Sequence, residues 1–213
     1  MHKGSERVKK LKRFKKAKGI KAVERFYHCI STDDFVRDYV DVERFLGYCK
    51  QCPNYNVKWT CPPYSFDVME KYWHKYRYLH LFAFKLTLAD DLIENGMTEE
   101  DINRLVEGIT RQNYHMATQW ALEVESENPG SMALTLDGGH CVKCKKCTRP
   151  EGKPCRFEKD SRPAIDAIGG NLIKTAEDIF NTKILWIEQG KVPEYLFYIL
   201  GLLSDEKEIV LDE

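Results

Sequence analysis

The chain has 213 residues, of which 43% are hydrophobic and 12% aromatic, so it can bury a core of ordinary size. Its 33 Lys and Arg side chains balance 33 Asp and Glu side chains, which excludes an overall charge that would attract nucleic acid or membranes. We find no secretory signal and no apolar run long enough to cross a bilayer, so the eight cysteines indicate a reducing compartment, which we expect to be cytoplasmic.

The first 18 residues are strongly basic, with nine Lys or Arg side chains and one acid. Apolar residues recur every three positions, which predicts a helix over 3–18 and a second helix over 20–30. No base-reading motif accompanies the basic run, so we expect it to dock on the acidic remainder of the chain rather than bind nucleic acid. We therefore divide the chain into a basic N-terminal helical segment, residues 1–30, and a single α+β domain, residues 31–213.

The first cysteine motif consists of Cys49, Cys52 and Cys61, with the spacing C-x2-C-x8-C. Proline follows the second of these cysteines and two prolines follow the third, which predicts a stiff, non-helical loop of the kind that holds cluster ligands. Three thiols leave one coordination position open, for which Cys29, His28, a cysteine of the later motif or a substrate are candidates. A zinc site with three thiolates and one histidine is the alternative.

The periodicity of the middle and C-terminal parts indicates mixed helices and strands. A helix is predicted after Ser65, and 79–88 is predicted to be a central strand, apolar on both faces, in which His80 is a structural histidine. Thr98 opens a long helix over 98–127. The other predicted elements are a strand over 131–136, helices over 162–169 and 171–180, a hairpin of strands 184–187 and 195–203, and an edge strand over 209–211.

The second cysteine motif consists of Cys141, Cys144, Cys147 and Cys155, with the spacing C-x2-C-x2-C-x7-C. Thiols two residues apart on a loop can turn toward one centre, and a distant fourth thiol can close it, as in proteins that bind a 4Fe-4S cluster. Zinc also accepts four thiolates, but usually from two separate C-x2-C pairs, so the spacing favours iron–sulfur. A disulfide-bonded loop or a loop of free thiols is the remaining alternative.

Basic side chains are interleaved with these four cysteines. Nearby cations favour the thiolate form of cysteine and raise the reduction potential of a cluster. The alternative is a solvated basic loop whose charges do not face the thiols. The basic residues are Lys143, Lys145, Lys146, Arg149, Lys153 and Arg156.

The pair of segments CKQCPNYNVKWTCPP and CVKCKKCTRPEGKPCR, followed by Arg-Pro and Gly-Gly, resembles a family of predicted metal-binding proteins that is classed as a domain of unknown function. The resemblance covers roughly Cys49 to Leu203, and it implies that all seven cysteines of the two motifs are metal ligands. Arg156 and Pro163 match family positions, whereas Cys29 and the basic N-terminus lie outside the pattern. The resemblance implies a metal but no reaction.

We expect an α+β fold in which a mostly antiparallel sheet carries packed helices in a ferredoxin-like β-α-β arrangement, with the cysteine-rich loops close together at one end. The leading functional hypothesis is an iron–sulfur electron-transfer protein with one or two 4Fe-4S clusters and a redox partner protein. One alternative is an iron–sulfur enzyme with an open iron at the three-cysteine site. The other is a zinc-stabilised adaptor.

Overall fold

The computed structural model describes residues 6–7, 19–94, 98–136, 141, 143–186 and 191–211. These residues form an antiparallel sheet with helices on both faces, so the predicted α+β class is confirmed. The strands are β1 (Glu6–Arg7), β2 (Ile20–Ser31), β3 (Tyr78–Leu88), β4 (Met132–Leu134) and β5 (Tyr195–Ser204). The helices are α1 (Thr32–Tyr39), α2 (Val42–Cys49), α3 (Asp90–Glu94), α4 (Glu99–Glu127) and α5 (Leu172–Phe180).

The strands lie in the order β1-β2-β3-β5-β4, and every neighbouring pair is antiparallel. Because β5 is antiparallel to both β3 and β4, those two strands run in the same direction with β5 between them. The segment β3-α4-β4 is therefore a split β-α-β unit, which is the building block of ferredoxin-like folds. The predicted β-α-β arrangement is found in this half of the sheet.

The central strand β3 is buried on both faces, as its apolar sequence predicted. Phe82 and Phe84 face α4, where the Trp120 ring meets them edge-on, with centroids 4.8 and 5.7 Å away. Leu79 and Leu81 face the other way. We call the first face the α4-side core; among its buried members are Phe82, Phe84, Leu86, Leu88, Ile102, Ile109, Ala117, Trp120, Ala121, Val124, Tyr198 and Leu200.

The second layer covers the other face of the sheet and carries the cysteine loops. It contains α1, α5, a π-helical turn (Met69–Trp73) and a 3-10 turn (Asp166–Ile168), and the Trp73 indole N–H donates to the Ile168 carbonyl at 2.9 Å. We call this cluster the opposite core; it includes Phe35, Tyr39, Tyr72, Trp73, Leu79, Leu81, Ile165, Ile168, Ile179 and Phe180. The residues after Ser65 thus supply core aromatics as predicted, but they form a short π-helical turn instead of a regular helix.

The helix predicted over 20–30 is wrong, because Ile20–Ser31 is strand β2 and pairs with β3 along its length. Residues three apart in a strand face opposite sides. Accordingly Val23 packs on the α4-side core and Phe26 on the opposite core. The three-residue spacing therefore places apolar residues on both faces of a strand. Strand β2 belongs to the same sheet as β3, β4 and β5. Apart from Glu6 and Arg7, the helix predicted over 3–18 lies outside the described residues.

The hairpin predicted at 184–187 is also corrected. Residues 181–186 have no regular structure and 187–190 lie outside the described residues, whereas the predicted strand at 195–203 is β5. The tail at 209–211 is not an edge strand. Instead, the Asn128 side chain bonds to Val210 as a backbone would: Nδ2 donates to the Val210 carbonyl at 2.9 Å, and the Val210 N–H donates to Oδ1 at 2.8 Å.

The long helix α4 begins where the sequence predicted. The hydroxyl oxygen of Thr98 accepts the Asp101 N–H at 3.2 Å, which caps the helix. The helix ends before Asn128, and the predicted helix over 171–180 is present as α5. Among the described residues, no helix is both long enough and apolar enough to cross a bilayer.

Candidate metal centre

All four thiols of the second cysteine motif line one pocket: Cys141, Cys144, Cys147 and Cys155. Cys141, Cys144 and Cys147 themselves lie outside helices and strands, after β4 in the chain. A 3-10 turn (Arg149–Glu151) then reverses the chain, and Gly152 closes this turn at φ +67°, a conformation that favours glycine.

Thr148 brings the fourth cysteine back to the other three. Its hydroxyl donates to the Pro154 carbonyl at 2.9 Å, and its own carbonyl accepts the Lys153 N–H at 3.3 Å. The seven-residue spacer is thus folded into a closed loop, which places Cys155 next to Cys147 around the same pocket.

The pocket wall includes side chains from the first cysteine loop as well. Lys58 and Trp59 come from that loop, while Phe157 and Ser161 follow the fourth cysteine. Trp59 and Phe157 are 37% and 40% exposed, so both belong to the wall of the pocket and also reach the surface. Aromatic side chains in the wall of a thiol pocket limit the access of solvent to it.

The basic side chains of this loop are divided between the pocket and the surface. Lys143 lines the pocket and lies 3.7 Å from the Asp160 carboxylate. Lys146 and Lys153 pair with Glu151, at 3.6 and 2.9 Å. Of the six basic residues named from the sequence, Lys143 is the one that lines this pocket, where Lys58 of the first loop joins it.

The first cysteine motif begins at the last residue of α2. Cys49 is half-buried, Cys52 is exposed and Cys61 is buried. A turn connects the first two, since the Cys52 N–H donates to the Cys49 carbonyl at 3.0 Å. The third lies at the end of a further turn, whose Cys61 N–H donates to the Lys58 carbonyl at 3.2 Å.

Asp166 and Tyr64 lie close to the first motif; of the two, Asp166 carries no sequence signal that points to this site. Burial first, and then the charges of Asp166 and Cys52, raise the pKa of the Cys49 thiol to about 11. Burial also holds the pKa of Tyr64 far above its usual range, with smaller contributions from Tyr72, Cys61 and Cys49. Asp166 follows no ligand spacing, and only the packing of its turn against α2 brings it to this site.

Arg149 joins the two cysteine loops. Its guanidinium donates to the Lys58 carbonyl at 2.6 Å and to the carbonyls of Cys61 and Pro63, and its charge lies 5.1 Å from the centre of the Trp59 ring. The expectation that the two motifs lie close in space is therefore correct. From the sequence, this arginine stood out only as one of six basic residues around the second motif.

The Trp59 indole completes the connection. Its N–H lies 3.3 Å from the Thr148 hydroxyl and 3.2 Å from the Lys153 carbonyl, and it donates to both. Because both acceptors belong to the loop of the second motif, the two loops hold each other in place.

Cys29 lies on the side of the sheet away from the first motif. It is paired with His80 in the register of β2 and β3, and its thiol donates to the Lys207 carbonyl at 3.8 Å. His28, the next residue along β2, faces the opposite way. His80 is buried, with Nε2 bonded to the Glu206 carbonyl at 3.0 Å and Nδ1 to the Tyr27 hydroxyl at 2.8 Å, which agrees with the structural role predicted for it.

A buried ion pair holds the chain where it leaves the second cysteine loop. The Arg162 guanidinium donates from Nε to a Glu125 carboxylate oxygen at 2.7 Å and from Nη2 to the other oxygen. The same Glu125 accepts the Ala133 N–H at 2.6 Å. Helix α4, strand β4 and the loop exit are thus tied to one carboxylate.

The donor set around the pocket consists of four cysteine thiols, which suit a thiophilic metal. Within the described part of the chain, no three His, Cys, Asp or Glu side chains converge closely enough to hold one metal ion between them. All eight cysteines are described, and none of them is in a disulfide.

The fold and the two cysteine loops define the class of the protein. It is an α+β protein whose thiol-rich loops lie beside one face of an antiparallel sheet, and such loops suit a thiophilic metal. The chain belongs to the family described as predicted metal-binding protein (DUF2284), which matches residues 35–201. The match includes both cysteine motifs and excludes Cys29. Searches of curated proteins and of solved structures found no match.

Proposed function

We propose that this metal-binding protein is an iron–sulfur protein in which Cys141, Cys144, Cys147 and Cys155 hold a 4Fe-4S cluster, and that it acts in electron transfer. The observation that carries the proposal is that all four thiols line one pocket. The C-x2-C-x2-C spacing supports it, because this arrangement is typical of cubane ligands and unusual for zinc.

A cluster bound there would supply a one-electron redox couple. The chain's own contribution is to exclude water and to set the local charge. Trp59 and Phe157 cover the pocket and lower its polarity. Lys58 and Lys143 lie at its wall, Lys143 with Asp160 at 3.7 Å, and their positive charge would stabilise a reduced, more negative centre and so raise its potential.

The first motif is proposed as a second, separate metal centre with the ligands Cys49, Cys52 and Cys61. Asp166 is the carboxylate whose charge acts on Cys49. A centre with only three protein thiolates would leave one position for a further ligand or for a substrate.

The second candidate function is an iron–sulfur enzyme, and one observation favours it. A cleft of about 540 Å³ opens between the two cysteine loops, and its lining includes Cys155 of the second motif and Pro63 of the first. An electron carrier needs shielded thiols and a docking face, but it needs no cleft of ligand size beside them.

The test is the composition of full-length protein purified without oxygen. We expect a brown protein with broad visible absorbance, iron and acid-labile sulfide, and a signal that changes reversibly on one-electron reduction. A colourless protein with stoichiometric zinc would overturn the proposal in favour of a zinc-stabilised adaptor. An iron protein that does not change on reduction would favour the enzyme.

We also propose a reducing compartment, the cytoplasm, and a redox partner protein, because thiols kept for metal binding must stay reduced. Nucleic acid is not proposed as a partner. The basic residues of the N-terminal segment carry no recognised base-reading motif.

A further inference from the structure

The cleft between the two cysteine loops has the size of a small-molecule site. Its volume of about 540 Å³ falls within the range of roughly 300–1,000 Å³ that is usual for ligand pockets. Thr60, Pro63 and Tyr64 line it from the first loop, and Arg149 and Cys155 from the second. A ligand in the cleft would therefore touch both loops at once.

One wall of the cleft is aromatic. The rings of Tyr64 and Phe66 stack with centroids 5.0 Å apart and an interplanar angle of 20°. Tyr72 meets Phe66 edge-on at 6.0 Å. The Tyr64 hydroxyl is held by the Thr60 carbonyl at 2.8 Å, so this wall is fixed before any ligand arrives. A rigid aromatic wall favours a flat, unsaturated ligand body.

The charge at the wall is positive. The Lys71 ammonium lies 3.7 Å from the centre of the Phe66 ring and 5.8 Å from the centre of the Tyr72 ring. Arg149 donates to three carbonyl oxygens, which hold its guanidinium in place without neutralising its charge. Glu158 supplies one carboxylate to the lining, against these two cations.

We propose that this cleft binds a small planar organic anion, with its ring against the aromatic wall and its anionic group toward Lys71. Two cations held over aromatic rings, Lys71 and Arg149, outnumber the one acid of the lining, Glu158, and so favour an anion over a neutral ring of the same shape. The ligand chemistry rests on the lining residues alone, whereas its position beside a redox-active cluster rests on the proposed function.

The probe is 2-naphthoate, with 2-naphthamide as its neutral counterpart, titrated calorimetrically into the full-length, metal-loaded protein. We expect naphthoate to bind at least several-fold more tightly than the amide. In Lys71→Gln, naphthoate should bind about tenfold more weakly, while the affinity for the amide stays unchanged, since only the charged contact is lost.

The matched control is Lys75→Gln. Lys75 is a neighbouring exposed lysine, also over an aromatic ring, at 5.0 Å from the centre of Tyr76, but it is not among the residues that line the cleft. Lys75→Gln should leave the affinities for naphthoate and for naphthamide unchanged. Ser65→Trp, which places a large ring at an exposed position of the lining, should abolish binding of both probes.

The proposal is overturned if naphthoate does not bind, if the two lysine variants weaken it equally, or if Ser65→Trp leaves it intact. Iron and zinc are measured in the same samples, so the two proposals can fail separately. A zinc protein that still binds naphthoate through Lys71 contradicts the iron–sulfur assignment alone. An iron–sulfur protein that does not bind naphthoate contradicts only the proposal for the cleft.

Discussion

Arg149 is the residue on which the contact between the two cysteine loops depends most. A guanidinium presents several donors in a fixed plane, and here they reach the carbonyls of Lys58, Cys61 and Pro63 together. Its five N–H donors are enough for one side chain to serve three separate carbonyls. The geometry of each candidate metal site is therefore tied to that of the other.

Replacing Arg149 by Gln should lower the free energy of unfolding by about 2 kcal/mol, because carbonyls that accepted from a charged donor lose it. Metal content should fall at both motifs together. Urea unfolding with metal analysis would measure this. The control is Arg156→Gln in the same loop, where the guanidinium donates to the Lys146 carbonyl at 3.1 Å. Equal losses in the two variants would contradict a special role for Arg149.

Cys29 tests whether the first motif takes a ligand from the sheet. Its thiol faces the α4 side, beside Tyr27 and the Lys207 carbonyl, while Tyr64 of the first loop packs on the opposite core. We therefore expect Cys29→Ser to keep the same metal content per chain and the same visible spectrum. Loss of metal in this variant would show that the thiol reaches the centre after all.

His80 should make stability depend on pH. Burial lowers its pKa, so in the folded chain the ring stays neutral, with Nε2–H donating to Glu206 and Nδ1 accepting from Tyr27. In the unfolded chain a histidine binds a proton below about pH 6.5. The unfolded state then carries more protons, and stability falls as the pH drops below that value, by up to about 1.4 kcal/mol per pH unit.

The corresponding measurement is urea unfolding of wild type and His80→Gln at pH 7.5 and 5.5. The variant should be less stable at both values, because a buried hydrogen-bonded ring is lost. Its free energy of unfolding should also fall less between pH 7.5 and pH 5.5 than that of the wild type. Parallel decreases in the two proteins would show that His80 contributes nothing to the pH dependence.

At the scale of elements, the loop of the second motif depends on a largely buried ion pair. The Glu125 side chain is 18% exposed and that of Arg162 is 11% exposed, and the carboxylate raises the pKa of the arginine. Removing one partner of a buried pair leaves an unpaired charge in a poorly solvated place. The exit of the cysteine loop would lose its attachment to α4 and β4 at the same time.

Glu125→Gln should therefore lower the free energy of unfolding by about 3 kcal/mol. The control lies on the same helix: Glu107 pairs with Arg111 at 2.7 Å, but both side chains are largely exposed. Glu107→Gln should change stability by no more than about 0.5 kcal/mol. Chemical denaturation of both variants would measure these changes in the free energy of unfolding. A small effect of Glu125→Gln would mean that the ion pair is dispensable.

Elements with strong local signals could be predicted from the sequence. The long helix α4 has its Thr98 cap and a sustained helical period, and β3 is apolar on both faces. Strand β2 could not be recognised, because its three-residue apolar spacing imitates a helical stripe. Only its pairing with β3, which the local sequence does not specify, decides between the two.

The candidate ligands could be named because cysteine spacing is itself the signal. The contacts by which Arg149 and Trp59 join the two loops, and the place of Asp166 beside the first motif, could not be predicted in this way. Arg149 and Trp59 meet across about ninety positions of sequence, and Asp166 reaches α2 only through the packing of its turn. Contacts of this kind depend on the whole fold, and no short motif encodes them.

At the scale of the whole molecule, the sheet separates two different environments. The α4 side is a continuous apolar core. The other side carries a second core, and beside it the two cysteine loops meet. The split β-α-β unit delivers the second loop from β4, and α2 delivers the first. One rigid scaffold thus presents seven thiols and a cleft in the same region.

The most direct test of this account is the amount of iron and acid-labile sulfide per chain in anaerobically purified wild type and Cys144→Ala. The wild type should contain about 4 irons and 4 sulfides for the second motif, and more if the first motif also holds a cluster. Cys144→Ala should lose about half of the iron if two clusters are present and nearly all if there is one, and it should unfold at a lower temperature because metal binding is coupled to folding. Unchanged iron, sulfide and thermal stability in Cys144→Ala would contradict the account.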